Sequence, residues 1–125
     1  MPDFTDAEID RAFRLIGMAY GRPTAENPPP LVYPFDRQLL INLFDDAMID
    51  ALEHDAGKSV HRLAADLLTV LLTAGLTPDG RRLDVVSSTS GDLTLTYQEA
   101  DATRRGMQDT IRELRRLARV LPADN

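Results

Sequence analysis

Few residues in this chain could carry chemistry, and each comes with neighbours that limit it. His54-Asp55 is a histidine–carboxylate pair of the kind around which metal-dependent phosphoester hydrolysis is built. Such a centre needs further ligands, and the only other histidine is His61, seven residues on. That spacing runs across Gly57, so the two rings do not share one continuous helix face. A metal would have to recruit Asp50, Glu53 or Asp66 as well. The pair therefore reads as solvated charge at a helix end, with no metal and no cofactor expected; a hydrolase centred on His54 is a remote alternative. Gly57-Lys58-Ser59 has the closing residues of a phosphate-binding loop. The full pattern requires a glycine where Leu52 stands, and a strand where a helix is predicted. No Ser/His/Asp arrangement can be assembled, and the absence of cysteine removes thiol nucleophiles and thiolate metal sites. The chain reads as a non-enzyme.

What remains is charge placed where it could be read by a partner. Asp45, Asp46 and Asp50 lie on one predicted helix face together with Glu53, and Arg104, Arg105, Arg112, Arg115, Arg116 and Arg119 crowd the last helix. Asp66 stands alone in an otherwise apolar run, where a carboxylate should find an arginine or a backbone donor. Arg62, one turn earlier, or an arginine of the last helix could serve. Residues 1–57 carry 11 acidic and 4 basic side chains; residues 58–125 carry 9 and 10, for a net charge of −6 overall. A DNA-binding domain would show a dominant basic face. An acidic half facing an arginine-bearing helix suits self-association, or docking on a charged protein surface.

The elements that position these groups are mostly helical. The chain of 125 residues is expected to form one small four-helix domain with a β-hairpin between the third and fourth helices. Helix 1 is predicted over 5–20: Thr5 and Glu8 form a capping box, Ile9, Ala12, Phe13, Ile16 and Tyr20 line one face, and Gly21 ends it. Residues 22–34 form a loop with five of the eight prolines, and Leu31, Val32 and Tyr33 within it either tuck under a helix or face a partner. Helix 2 is predicted over 36–55, capped by Asp36 and closed by Gly57, with Leu40, Leu43, Phe44, Ala47, Met48 and Ala51 inward. The organising element is helix 3, capped by Ser59 and stopped by Gly75. Its LAADLLTVLLTAGL run is too apolar to lie on the surface and too short to span a bilayer. Neither a signal peptide nor a membrane segment is evident, and a soluble protein is expected.

Thr77-Pro78-Asp79-Gly80 marks a turn, after which the period changes. Leu93, Leu95 and Tyr97 alternate with threonines, so residues 83–88 and 93–97 read as two strands turning at Ser90-Gly91-Asp92. A lone hairpin is marginal in water, so it must lean on the helices or pair with another chain. Helix 4 is predicted over 98–121, with Ala102, Met107, Ile111, Leu114, Ala118 and Leu121 as its apolar line and Pro122 as its stop.

The order of a central Ala/Leu-rich helix, the segment Val86-Ser-Ser-Thr-Ser-Gly91-Asp92-Leu93-Thr-Leu95-Thr-Tyr97 and a final helix resembles the C-terminal half of head–tail connector (adaptor) proteins of tailed bacteriophages. That family often carries a serine, then Gly-Asp, alternating apolar and hydroxyl residues, and a closing tyrosine between its last two helices. The resemblance implies a structural virion protein of the neck. It would form a ring, usually of twelve copies, under the portal, bind tail or stopper proteins, and line the channel through which DNA passes without specific binding. Leu31, Val32, Tyr33, Asp45, Asp46, Asp50, Leu93, Leu95, Tyr97 and the six arginines of helix 4 are the candidate contact residues. A small acidic inhibitor that imitates nucleic acid, or a protein-binding module, is the alternative.

Overall fold

The computed structural model describes residues 4–18, 21–24, 26, 37–57, 59–78, 82–83 and 97–120. The structure is mostly helical, with five helices in the described part: α1 (Asp6–Leu15), α2 (Arg37–Leu43), α3 (Asp46–Ala56), α4 (Val60–Ala74) and α5 (Tyr97–Val120). The central helix expected from the sequence is α4. It packs against α1, α3 and α5, and Val60, Leu63, Ala64, Ala65, Leu67, Leu68 and Leu71 are all buried along it. The Ser59 hydroxyl accepts from the Arg62 N–H at 3.2 Å, which caps its start. At its end Gly75 and Leu76 donate back to Leu72 and Leu71, and the buried Leu76 packs the stop into the core.

Helix α1 opens on the expected capping box: Thr5 Oγ1 accepts from Glu8 N–H, and Glu8 Oε1 accepts from Thr5 N–H at 3.0 Å. It stops earlier than the expected 20. Gly17 takes φ 103, its N–H donates to Arg14 and that of Met18 to Phe13, and Phe13 and Met18 are both buried. This paired closure with its apolar contact captures the last carbonyls, and it needs a glycine at the left-handed position. Gly17 wins over Gly21 because the residue after it is a methionine that the core can hold.

The expected helix 2 is two helices. Asp45 adopts an extended conformation between them (φ −70, ψ 174), and its carboxylate caps α3 by accepting from Met48 N–H at 2.9 Å. Aspartate competes for nearby backbone donors in this way, so it favours a helix start over a helix interior. The break also resets the helical phase. Ile49, Glu53 and Ala56 face inward, while Ala47 and Ala51, expected in the buried stripe, are exposed. Glu53, expected on the outer acidic face, is 4% exposed. Phe44, at the break, meets Phe13 edge-on at 5.0 Å between ring centroids and ties α1 to the α2–α3 corner.

After α4 the chain reverses. Leu76 and Arg82 form an antiparallel bridge around the turn marked by Thr77-Pro78-Asp79-Gly80, and Leu83 N–H donates to Gly75 C=O at 2.7 Å. Leu83 is buried. Tyr97, expected at the end of the second strand, is instead the first residue of a helix, and residues 84–96 of the expected hairpin lie outside the described residues. Helix α5 matches its expected span closely and buries Ala100, Met107, Ile111 and Leu114 in a narrow seam along α4. Ala102, expected in that seam, is exposed, and Ala100 takes its place. A side chain at Gly106 would meet nothing within 4 Å. Gly106→Ala is therefore expected to raise stability by about 1 kcal/mol, the helix-propensity difference, as measured by urea unfolding.

Candidate interaction surfaces

The charged candidates separate into those the fold uses internally and those it leaves facing solvent. On the acidic side, Asp45 is spent as the α3 cap. Asp46 accepts from Arg22 at 2.8 Å yet stays 93% exposed, and Asp50, one turn further, is exposed. Arg22 also donates to the Phe44 carbonyl at 3.0 Å, which satisfies a backbone acceptor at the α2–α3 break. No pattern within the sequence signals this residue, because its partners lie 22 and 24 positions away.

On α5 the six arginines divide. Arg104 donates to the Leu83 carbonyl at 3.1 Å and pairs with Asp101, so it anchors the chain that follows the turn. Arg105 donates weakly to the Asp101 carbonyl and is exposed. Arg112 pairs with Asp109, and Arg116 grips Glu113 with two hydrogen bonds of 3.0 and 2.6 Å. The Arg116 contact holds the Glu113 carboxyl below its ordinary range. These are neighbour pairs on an exposed face and contribute little to stability. Of the other candidates, Tyr97 opens α5. Leu31, Val32, Tyr33, Leu93 and Leu95 lie outside the described residues.

Arg115 and Arg119 are the two brought together with α4. Arg62 and Asp66 stand one turn apart on α4, Arg115 and Arg119 one turn apart on α5, and with Ala118 they line an open cleft of about 360 Å³. Arg115 reaches Asp66 at 3.6 Å and the Thr69 hydroxyl at 3.4 Å. The expected partner for Asp66 is thus present, an α5 arginine with Arg62 beside it. Desolvation nonetheless outweighs them: burial pushes the Asp66 carboxyl above its ordinary value, Arg115 and then Arg62 pull it down, and Asp55 adds to the rise.

That direction fixes a pH dependence. A carboxyl with a raised folded-state pKa adds stability that is full below its unfolded value, about 3.9, and is lost as pH rises through the folded value. Asp66→Asn removes the ionisation and keeps the shape. Its stability relative to the parent is expected to improve from pH 3 to pH 7, in paired urea titrations about one pH unit apart. A relative stability that falls over this range would mean that the Arg115 pairing dominates.

His54 is exposed beyond the middle of α3 and His61 half-buried in the first turn of α4. Among the described residues no group of three or more His, Asp or Glu is placed to hold a metal ion, and no helix is long and apolar enough to cross a membrane. No protein-family model, curated protein or solved structure matches the chain.

Proposed function

We propose that this chain is a non-enzymatic structural subunit, a head–tail connector that assembles into a ring beneath a phage portal and joins the capsid to the tail. The observation that carries the reading is the placement of exposed charge. One end of α3 presents Asp46 and Asp50, and α5 presents Arg105, Arg115 and Arg119 beside the locally paired Arg112 and Arg116, with both helices laid on α4. Opposite charges on two different faces of one chain favour head-to-tail contacts between copies, and such contacts generate rings when the rotation closes. An excess of acid over base lets DNA pass through such a ring with its phosphates repelled and not gripped. The resemblance of residues 86–97 to the connector segment supplies the partners: the portal on one side, tail or stopper proteins on the other, and the virion neck as the place.

An acidic inhibitor finds less support. Imitation of nucleic acid requires a run of free carboxylates, and two of the three candidates, Asp45 and Asp46, are engaged by Met48 and Arg22. The test is the mass of the purified chain across concentration, alone and with a candidate portal protein, by native mass spectrometry. Discrete rings, or capture by the portal, are expected. A chain that stays monomeric and also ignores the portal would sink the reading.

A further inference from the structure

The arginines of α5 are not equivalent, and the difference locates a contact. Arg112 and Arg116 are neutralised by Asp109 and Glu113 on their own helix. The guanidiniums of Arg62 and Arg119 make no hydrogen bond or short ion pair with any described residue, although both residues line the α4–α5 cleft. Between them Arg115 is held in place by Asp66 and Thr69 but remains 52% exposed, so part of its guanidinium fork stays open. Three arginines therefore line one cleft with a single half-buried carboxylate, and Ala118 between them carries only a small side chain. Counted over its lining residues the cleft has three arginines to one carboxylate, an excess of two positive charges, with Asp55 outside the lining but near enough to act on Asp66. In a protein of net charge −6 this is a local reversal of sign.

We propose that this cleft is the socket for the acidic edge of α3 in a second copy of the chain, with Asp50 and Asp46 as the inserted side chains. The inference rests on the assembly reading above and narrows it to Arg62, Arg115 and Arg119. Asp46 and Asp50 are spaced by four residues on one helix, as are Arg115 and Arg119 on the other. Side chains at that spacing lie about 5–6 Å apart on a helix surface, so two helices laid together meet charge for charge. Asp50 makes no ion pair with any described residue, and Asp46, although it accepts from Arg22 through one oxygen, stays 93% exposed, so Asp50 leads the contact and Asp46 supports it. The edge and the cleft are different patches, so the contact is heterologous and each copy has one of each to offer. Arginine suits the socket because its fork binds carboxylate in a fixed geometry and loses little freedom in doing so.

The test is sedimentation velocity of the full chain at low ionic strength, where the screening length is about 30 Å at 0.01 M salt. The wild type is expected to associate with rising concentration and to dissociate in high salt. Arg119→Glu and Asp50→Arg are each expected to weaken association by roughly tenfold or more, the scale of a close interfacial charge pair. Together in one chain they restore an opposite-charge pair and should recover it. Arg112→Gln should change nothing. All three substitutions fall on exposed positions, and circular dichroism checks that each variant folds. Association untouched by either reversal overturns the socket and leaves the connector reading to portal capture. A chain monomeric at every concentration overturns it too. So does saturable binding of inorganic phosphate that depends on Arg119 without self-association, which would make the cleft an oxyanion site.

Discussion

Phe44→Ala is expected to remove about 3–5 kcal/mol from the unfolding free energy, a large part of the total of a domain this size. The ring is 1% exposed and stands at the α2–α3 break, where it meets Phe13 of α1 edge to face. Alanine loses the transfer energy of the ring and leaves a void that α1, α2 and the break must share. The aromatic pair adds about 0.5–1.5 kcal/mol beyond buried area. Relaxation is restricted because the Phe44 backbone is held in place, its carbonyl by Arg22 and its N–H by Leu40 C=O at 3.3 Å. The corner therefore cannot slide inward to fill the space. Thermal unfolding should move down by roughly 10–20 °C, and Phe44→Leu, which keeps most of the volume, should cost about a third as much. Equal losses for the two variants would show that the aromatic contact carries the effect; a loss under 1 kcal/mol for alanine would show that the corner collapses freely.

The position of Phe44 also shows where the sequence is a good guide and where it stops being one. Signals that act within four residues are legible. Thr5 with Glu8, Ser59, Gly57 and Gly75 bound the helices as their spacing indicates, and Thr77 to Gly80 mark the reversal that the Leu76–Arg82 bridge encloses. The apolar run of α4 announces a helix wrapped on several sides. Competition between two local signals is not legible. Gly17 and Gly21 can each end a helix, and the choice depends on whether Met18 finds a place in the core. Asp45 can decorate a helix or start one, and the decision rests on Arg22, which arrives from a loop to hold both Phe44 and Asp46. Once that break is missed, most inward positions beyond it are misphased, which is why Glu53 turns out buried and Ala47 and Ala51 exposed, while Met48 alone still packs against the core. The charged surfaces follow the same division. Which residues are charged, and that Asp66 needs an arginine, can be read in advance. Which arginines are already neutralised depends on their side-chain geometry, and the α4–α5 cleft exists only once two helices bring their one-turn pairs face to face.

Gly21→Ala is expected to cost about 2–4 kcal/mol, through backbone and contact together. Gly21 adopts φ 87, which an L side chain rarely takes. A Cβ built there would lie 2.7 Å from both Cγ and Oδ1 of Asp10 and 2.9 Å from its Cβ. The carboxylate could swing away, but it accepts a hydrogen bond from Arg22 N–H at 3.1 Å. That bond fixes the start of the segment from which Arg22 reaches the α2–α3 break, so moving Asp10 also loosens the clamp on Phe44. The Cβ of Asp10 is fixed to α1 and cannot swing at all. A double-mutant cycle separates the parts. Asp10→Ala alone should cost about 1.5–3 kcal/mol, a lost hydrogen bond to a charged acceptor. Adding Gly21→Ala to that background should cost less than it does in the parent, because Cγ and Oδ1 are gone and only the contact with Cβ and the strained φ remain. Full additivity would show that the close approach to the carboxylate carries no energy and that the strained φ and the contact with the Asp10 Cβ set the cost. If Gly21→Ala proved neutral by urea unfolding, the packing of this turn against α1 would be disproved, and with it the route by which Arg22 holds the corner.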